Sequence, residues 1–237
     1  MALVLIPLLG LLAGLLTTVA GMGGGLVLLG ALGLLTDPHQ ALAWTAPALL
    51  LGNLHRLWLY RGLVDRATAG RFALGAIPAA FAGGLVASAL PGRVLAGILL
   101  VVGAMGLLVH FGRRDWRLPA WSMVPFGALA GGLVATGGGA AVVVGPSLHA
   151  RGLSGRRYLA TMATVAVALH SSRLLAYGLG GMAGLDDLLV GAGLSLCIAV
   201  GNLLGDRVIR GWSERALDRV QVGAVLACMG LAVGELW

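Results

Sequence analysis

The stretch AGMGGGLVLLG, residues Ala20–Gly30, interrupts an apolar run with four glycines in five positions. A second stretch, ATGGGAAVVVG at Ala135–Gly145, repeats this pattern in the second half of the chain. Glycine inside a helix costs about 1 kcal/mol relative to alanine, so each cluster predicts a break in a helix. Two breaks at matching places indicate a duplicated fold.

The composition predicts a helical membrane protein. Of the 237 residues, 59% are apolar and 11% are charged, whereas a soluble domain is about 45–50% apolar and about 25% charged. The apolar residues form long unbroken runs, and a membrane β-barrel would instead alternate apolar and polar residues. The net charge of +7 comes from arginines, most of them in short loops between these runs, so we do not expect a nucleic-acid partner.

Ten apolar runs follow one another along the chain, and eight of them are long enough for a membrane span of about 20 residues. The other two, Leu26–Thr36 and Ala140–Ala150, directly follow the glycine breaks and hold 11 residues each. They predict half-helices of about 16 Å. The long runs are Leu3–Val19, Ala41–Tyr60, Phe72–Leu90, Val94–Phe111, Ala120–Thr136, Tyr158–Gly178, Leu185–Leu204 and Leu217–Leu236.

Individual residues repeat as well. NLHRLWLY at Asn53–Tyr60 and HSSRLLAY at His170–Tyr177 share a polar residue, an arginine and a tyrosine at the same spacing, 117 residues apart. A period this long fits the duplicated halves of a transporter. We therefore divide the chain into a first transmembrane repeat at 1–111, a cytoplasmic linker at 112–119 and a second repeat at 120–237.

The loop arginines predict how the two halves are oriented. If each break makes a hairpin that returns to its starting face, one face holds 13 loop arginines and the other holds Arg93 alone. If each broken segment crosses the membrane once, the split is six against eight. Cytoplasmic loops are enriched in arginine, so the hairpins are favoured. Each half then has an odd number of segments, which predicts inverted repeats with both termini outside the cell.

The predicted fold is thus an all-α polytopic membrane protein with two inverted repeats. Each repeat has a glycine-broken hairpin followed by three spans, which gives about eight full spans and two half-helices. Irregular backbone inside a bilayer is tolerated only where it faces protein or a wet cavity. The half-helices begin at the breaks, and a helix N-terminus carries partial positive charge and free N–H donors. The breaks therefore predict an anion site formed by Gly23, Gly24, Gly25, Gly137, Gly138 and Gly139.

The alternative for these glycines is tight helix packing, the role expected of Gly10, Gly14, Gly83 and Gly103.

Polar residues within the spans extend the predicted site. Asn53 and Arg56 share one helix face, and His170 and Arg173 repeat that face in the second half. An arginine inside a span usually faces the bundle interior or a cavity, where it can bind anion oxygens bidentately. The alternative for both arginines is snorkelling to lipid headgroups. Thr45, Thr161 and Thr164 either add hydroxyl donors or bond to carbonyls of their own helices.

We find no aspartate or glutamate in the middle of a predicted span, and Asp206 is expected at a span end. A carboxylate-rich cation site is therefore hard to build, and the substrate is expected to be an anion. His170 is the span residue that can carry a proton near neutral pH, although a lone membrane histidine more often packs and forms hydrogen bonds. No cofactor and no metal site are expected.

These motifs resemble the TauE/SafE family of sulfite-exporter-like and toluenesulfonate-uptake permeases. The family pattern Gly-x-Gly-Gly-Gly reads GMGGG at 21–25 and ATGGG at 135–139. A proline follows in the second half, in Pro146-Ser147-Leu148, where the first half has GALGL at 30–34. The stretch AWTAPALLLGNLHRLWLYRGLVD at 43–65 also resembles the family. The resemblance implies a multi-pass transporter of sulfite, organosulfonates or related small anions in a bacterial inner membrane.

Two other functions stay open at this point. One is a passive channel for anions or small solutes. The other is a rhomboid-like intramembrane serine protease, because GLSG at 152–155 precedes His170. The expected partners are the small anion and the lipid bilayer, and a homodimer is left open.

Overall fold

The computed structural model describes residues 2–19, 21, 23–95, 97–98, 117–137, 140–213, 215–216 and 219. Every regular element within these ranges is helical, which confirms the expected all-α class for this part of the chain. The expected runs Val94–Phe111 and Leu217–Leu236 lie largely outside the described residues, and Gly138 and Gly139 lie outside them entirely.

Eight α-helices account for most of the described residues. Short 3-10 turns at Arg61–Leu63 and Ala120–Ser122 lead into two of them. The helices are α1 (Ala2–Val19), α2 (Gly24–Leu35), α3 (Pro38–Tyr60), α4 (Arg66–Ala89), α5 (Met123–Gly137), α6 (Ala140–Ala150), α7 (Gly155–Leu179) and α8 (Leu185–Ile209).

Two helices begin earlier than the apolar runs because their first turns are polar. Asp37 precedes α3 and its carboxylate accepts a hydrogen bond from the main-chain nitrogen of Gln40 at 3.0 Å. Asp65 does the same for α4 by accepting from the Thr68 nitrogen at 2.9 Å. Such caps satisfy N–H groups that have no partner within the helix. At the other end, α8 continues to Ile209, so Asp206 lies within this helix and not beyond it.

Four segments of the described chain are long and apolar enough to cross a membrane. The 23-residue α3 is not among them because Asn53, His55 and Arg56 lower the hydropathy of its second half. Together with the shorter apolar helices, this gives a multi-pass membrane protein. The four segments are Arg66–Ala89, Ala120–Gly137, Gly155–Leu179 and Leu185–Ile209.

The helices run in two opposite directions. The start of α3 meets the start of α8, where Trp44 Nε1 donates to Asp187 Oδ1 at 2.9 Å. Their ends meet where Tyr60 donates to Asp206 at 2.7 Å, so these two helices are parallel. Helix α1 also runs parallel to α8, with Thr18 near its end bonded to Asn202.

The other direction is shared by α4, α5 and α7. Asp65 and Arg157 pair at the starts of α4 and α7, and Ser172 bonds to the Ile77 oxygen further along the same two helices. Helix α3 is antiparallel to α4, because His39 near the start of α3 bonds to the Leu90 oxygen at the end of α4.

Glycines bring two of these pairs into backbone contact. A Cβ added at Gly14 in α1 would lie 2.1 Å from the Ile198 oxygen of α8. A Cβ added at Gly75 in α4 would lie 1.9 Å from the Val124 oxygen of α5. Small residues let helices approach this closely in membranes, which confirms the packing role expected for Gly14.

The second glycine break turns the chain back on itself. Leu118, just before α5, donates its main-chain N–H to the Ala150 oxygen at the end of α6 at 3.0 Å. Arg151 closes the same junction through a 2.7 Å hydrogen bond to the Leu118 oxygen. The beginning of α5 and the end of α6 therefore lie together, and the two helices form a hairpin.

Candidate functional site

A pocket lies between the two broken hairpins and the long helices α3 and α7. It offers about 60 Å³ to water-sized molecules, and one water needs roughly 10–15 Å³ on this measure. The space therefore suits several waters or one small oxyanion. Its lining residues are Thr17, Gly21, Gly23, Gly25, Leu26, Leu49, Asn53, Arg56, Val134, Val144, Met162, Ala166, Leu169 and His170.

The first glycine cluster contributes its backbone to this pocket. Gly21 and Gly23 line it with φ angles of +74° and +93°, a left-handed conformation that residues with a Cβ rarely adopt. Gly23 is the N-cap of α2, so the positive end of that helix dipole is directed at the pocket. Gly25 also lines the pocket, whereas Gly24 packs away from it against the Ala13 oxygen of α1.

In the second cluster, Gly137 is buried at the end of α5 and does not line the pocket. Val134 and Val144, from the flanking helices, do line it.

Arg56 is buried, with only 1% of its surface exposed. Its Nη1 donates to the main-chain oxygen of Thr17, and its Nη2 donates to Asn53 Oδ1 at 2.8 Å. Thr17 lies in the last turn of α1, where carbonyl groups have no partner within the helix. The guanidinium therefore caps the electronegative end of α1 while it lines the pocket.

Arg173 repeats this arrangement in the second half. It is also 1% exposed, and its Nη1 donates to the Val134 oxygen, in the last turn of α5, at 3.1 Å. Val134 stands 117 residues after Thr17, as Arg173 does after Arg56. The burial of both guanidiniums contradicts the snorkelling alternative, because a snorkelling side chain keeps its charged head in water.

Arg173 does not line the pocket, in contrast with Arg56. Its Nη2 lies 3.3 Å from Thr45 Oγ1, and its guanidinium carbon lies 5.9 Å from the centre of the Tyr177 ring. Thr45 itself is buried and bonds to the Leu42 oxygen.

The remaining predicted threonines donate to carbonyls of their own helix, and Thr161 also accepts a hydrogen bond from the Asp65 nitrogen at 3.0 Å. Thr161 donates to the Arg157 oxygen and Thr164 donates to the Ala160 oxygen, both at 2.9 Å. Neither residue lines the pocket.

Two residues that line the pocket carry buried side-chain nitrogens that no described residue pairs. Within the part of the chain that the structure describes, Nε of Arg56 and Nδ1 of His170 are buried without a hydrogen-bond partner. Buried polar groups are normally satisfied, and both of these residues line the same cavity. Nε of Arg56 is always a donor, whereas Nδ1 of His170 donates or accepts according to the tautomer of the ring.

The end of α3 is fixed by tertiary contacts that the sequence did not predict. Tyr60 donates to Asp206, whose other oxygen accepts from Arg210 Nε at 2.9 Å. Asp206 lies in the last turn of α8, in keeping with its expected place at a span end, and its carboxylate is buried against α3. The apolar run stops at Leu204, but the tyrosine and arginine partners of Asp206 allow the helix to continue past it.

The serine-protease alternative finds no support in this geometry. Ser154 is the residue before α7, and His170 lies on that same helix. Sixteen residues of helix separate the two by about 24 Å, whereas a catalytic base must reach its nucleophile by a hydrogen bond.

A multi-pass helical membrane protein with a pocket at the breaks in its helices, lined in part by polar residues, has the architecture of a membrane transporter. The chain matches the family Sulfite exporter TauE/SafE over residues 6–233, nearly its whole length. It therefore belongs to this family of membrane transporters, as the sequence motifs indicated. No curated protein and no solved structure matches the chain.

Proposed function

We propose that this protein is a secondary carrier that binds one small anion, such as sulfite, an organosulfonate or a related ion, in the pocket between the two hairpins. The observation that carries this proposal is the set of polar groups facing that cavity. Asn53, Arg56 and His170 converge there with the start of α2. No aspartate or glutamate is found among the described residues that line it.

The volume and charge of the pocket support a small anion. A space of about 60 Å³ is ample for sulfite, which has four heavy atoms. A buried arginine and a helix N-terminus both favour negative charge. The pocket is also lined by apolar residues such as Leu49, Val134 and Met162, which suits the organic part of a sulfonate.

We also propose that the two halves are inverted repeats. In this proposal α5, α6, α7 and α8 of the second half correspond to α1, α2, α3 and α4 of the first. The contacts of α1 with α8, of α2 with α3 and of α3 with α8 then correspond to those of α5 with α4, of α6 with α7 and of α7 with α4. The corresponding helices run in opposite directions, as α1 and α5 do. An inverted pair of hairpins around one site is the arrangement that alternating access requires.

The proposed location is the inner membrane, with the arginine-rich loops in the cytoplasm and both termini outside. The connections before α4 and before α7 lie together at one end of the bundle, where Asp65 pairs with Arg157. Exposed tryptophans at this end, Trp58, Trp121 and Trp212, suit the membrane interface.

Counterflow in proteoliposomes tests the carrier against the channel. Vesicles loaded with unlabelled sulfite should take up external radiolabelled sulfite faster than empty vesicles, because a carrier exchanges one ion for another. Protein-free liposomes provide the background. Equal uptake by loaded and empty vesicles would favour a passive channel instead.

A thermal-shift screen tests the substrate class. A ligand at 100 times its Kd stabilises the folded protein by about 2.7 kcal/mol. Sulfite or a sulfonate should raise the melting temperature, while the same concentration of sodium chloride should not. Stabilisation by none of sulfite, sulfonates, sulfate or carboxylates would contradict the proposal.

A further inference from the structure

The two halves differ at the position one helical turn before the buried arginine. The first half has Asn53 and the second has His170, 117 residues later. Asn53 is fully engaged with its surroundings, since it donates to the Leu49 oxygen and accepts from Arg56. The corresponding arginine, Arg173, bonds to Thr45 instead. Among the described residues, His170 and Arg173 therefore form no hydrogen bond like the one between Asn53 and Arg56.

Within the described part of the chain, the surroundings of His170 contain cations but no carboxylate. His170 is 7% exposed, lines the pocket and has no partner for Nδ1 among the described residues. The charged groups that act on it are Arg173 on its own helix and Arg56 on α3.

The other described helices that pack on α7 add no charge near His170. Helix α5 has no titratable residue, and α4 has none from Phe72 to Ala89. His149 in α6 is stacked on Tyr158, near the other end of α7.

We propose that His170 carries the proton that accompanies the anion, so that the protein is a proton-coupled carrier. This inference rests on the proposed function. A buried charge is costly unless it is paired, and the counter-charge available to a protonated imidazole at this position is the anion in the pocket. Proton and anion therefore bind together, and each increases the affinity for the other by the same factor. The neutral imidazole of the empty carrier takes up one proton with the anion and releases it with the anion on the other side.

The test compares the wild type with His170→Asn, which places in the second half the residue that the first half carries. Proteoliposomes receive radiolabelled sulfite under an inward proton gradient, with the membrane potential clamped at zero. With one proton per monovalent anion, each pH unit of gradient supports about a tenfold accumulation, because about 1.4 kcal/mol corresponds to a tenfold ratio. Sulfite itself exchanges protons near neutral pH, so the test relies on the difference in sulfite accumulation between the wild type and His170→Asn.

The wild type should accumulate sulfite in response to the gradient. Because His170 lines the pocket, His170→Asn should show slower counterflow, and the accumulation ratio that it reaches should no longer depend on the gradient. His55→Asn is the matched control, since His55 is on α3 but does not line the pocket, and it should respond as the wild type does. Accumulation by His170→Asn equal to the wild type would overturn the proposal.

A second measurement covers the case in which the variant does not fold. A pH-sensitive dye inside wild-type vesicles that hold no substrate anion should report acidification during net uptake of a sulfonate, which stays deprotonated at neutral pH and so brings in no proton of its own. Acidification no greater than that in protein-free liposomes would also overturn proton coupling. Absence of counterflow in the wild type would instead refute the carrier itself.

Discussion

Arg56 donates a hydrogen bond to the main-chain oxygen of Thr17 at the end of the first broken helix. Arg173 makes the corresponding contact with Val134 in the second half. Each arginine therefore has a structural role, as a cap of a helix C-terminus, in addition to the positive charge that it places close to the pocket. The following predictions separate these two roles.

Replacing Arg56 or Arg173 with glutamine should both weaken sulfite transport and destabilise the fold. A hydrogen bond to a charged group contributes about 1.5–3 kcal/mol, and the carbonyl left behind is buried. Thermal unfolding in detergent should show a lower melting temperature, by roughly 2–4 °C for each kcal/mol in a chain of this size. Arg71→Gln, on the exposed surface of α4, is the matched control. Unchanged stability in both buried variants would refute the capping role.

Gly24→Ala and Gly25→Ala should have different effects, although the residues are adjacent. A Cβ at Gly24 would lie 2.0 Å from the Ala13 oxygen of α1, a backbone atom that cannot move aside, so this variant should express poorly. At Gly25 the nearest atom is Leu49 Cδ1 at 3.1 Å, a side chain that can adjust. Gly25→Ala should therefore fold and show reduced uptake, because it narrows the pocket. Size-exclusion chromatography and counterflow measure the two effects, and similar behaviour of both variants would contradict this assignment.

Arg66 and Arg157 should be accessible from the same side of the membrane. Asp65, the neighbour of Arg66, pairs with Arg157 at 2.7 Å, and the proposed topology places both in the cytoplasm. Single cysteines at 66 and 157 should react with an impermeant maleimide in inside-out vesicles, in a background in which Cys197 and Cys228 are serine. A cysteine at Arg93 should react in right-side-out cells. Labelling of 66 and 157 from opposite sides would end the inverted-repeat proposal.

Asp65 should make stability depend on pH in the acidic range. The hydrogen bond from the Thr68 nitrogen, with a smaller contribution from Arg157, lowers the pKa of this carboxyl from 3.8. A lowered pKa in the folded state stabilises the protein above the unfolded value, and this stabilisation is lost as the pH falls below it. Asp65→Ala should cost about 0.5–2 kcal/mol at neutral pH. Asp65→Asn, which retains a capping oxygen, should cost less.

The comparison of these two variants also distinguishes the cap from the ion pair. Arg157 is 62% exposed, and exposed pairs contribute only about 0.2–1 kcal/mol. Melting temperatures at neutral and acidic pH measure both effects. If Asp65→Asn were as unstable as Asp65→Ala at neutral pH, the ion pair would be the main contribution.

The sequence alone predicted the helical membrane class and the family, and of its proposed site residues Asn53, Arg56 and His170 line the pocket. Glycine clusters, apolar runs and a helix face with Asn53 and Arg56 can be read from the sequence, because they depend only on the order of residue types along the chain. The helix starts at Pro38 and Arg66 were missed because their first turns are polar. Their aspartate caps, Asp37 and Asp65, are nevertheless present in the sequence.

Only the tertiary structure decided which groups the arginines bind and which polar residues stay without partners. The acceptors of Arg56 and Arg173 are main-chain oxygens, which every residue carries, so no residue type marks them. The pairing of Tyr60 with Asp206 spans 146 residues. Whether Nδ1 of His170 finds a partner among the described residues depends on which helices surround it. Such contacts depend on how the helices are arranged in space, which composition and spacing along the chain do not specify.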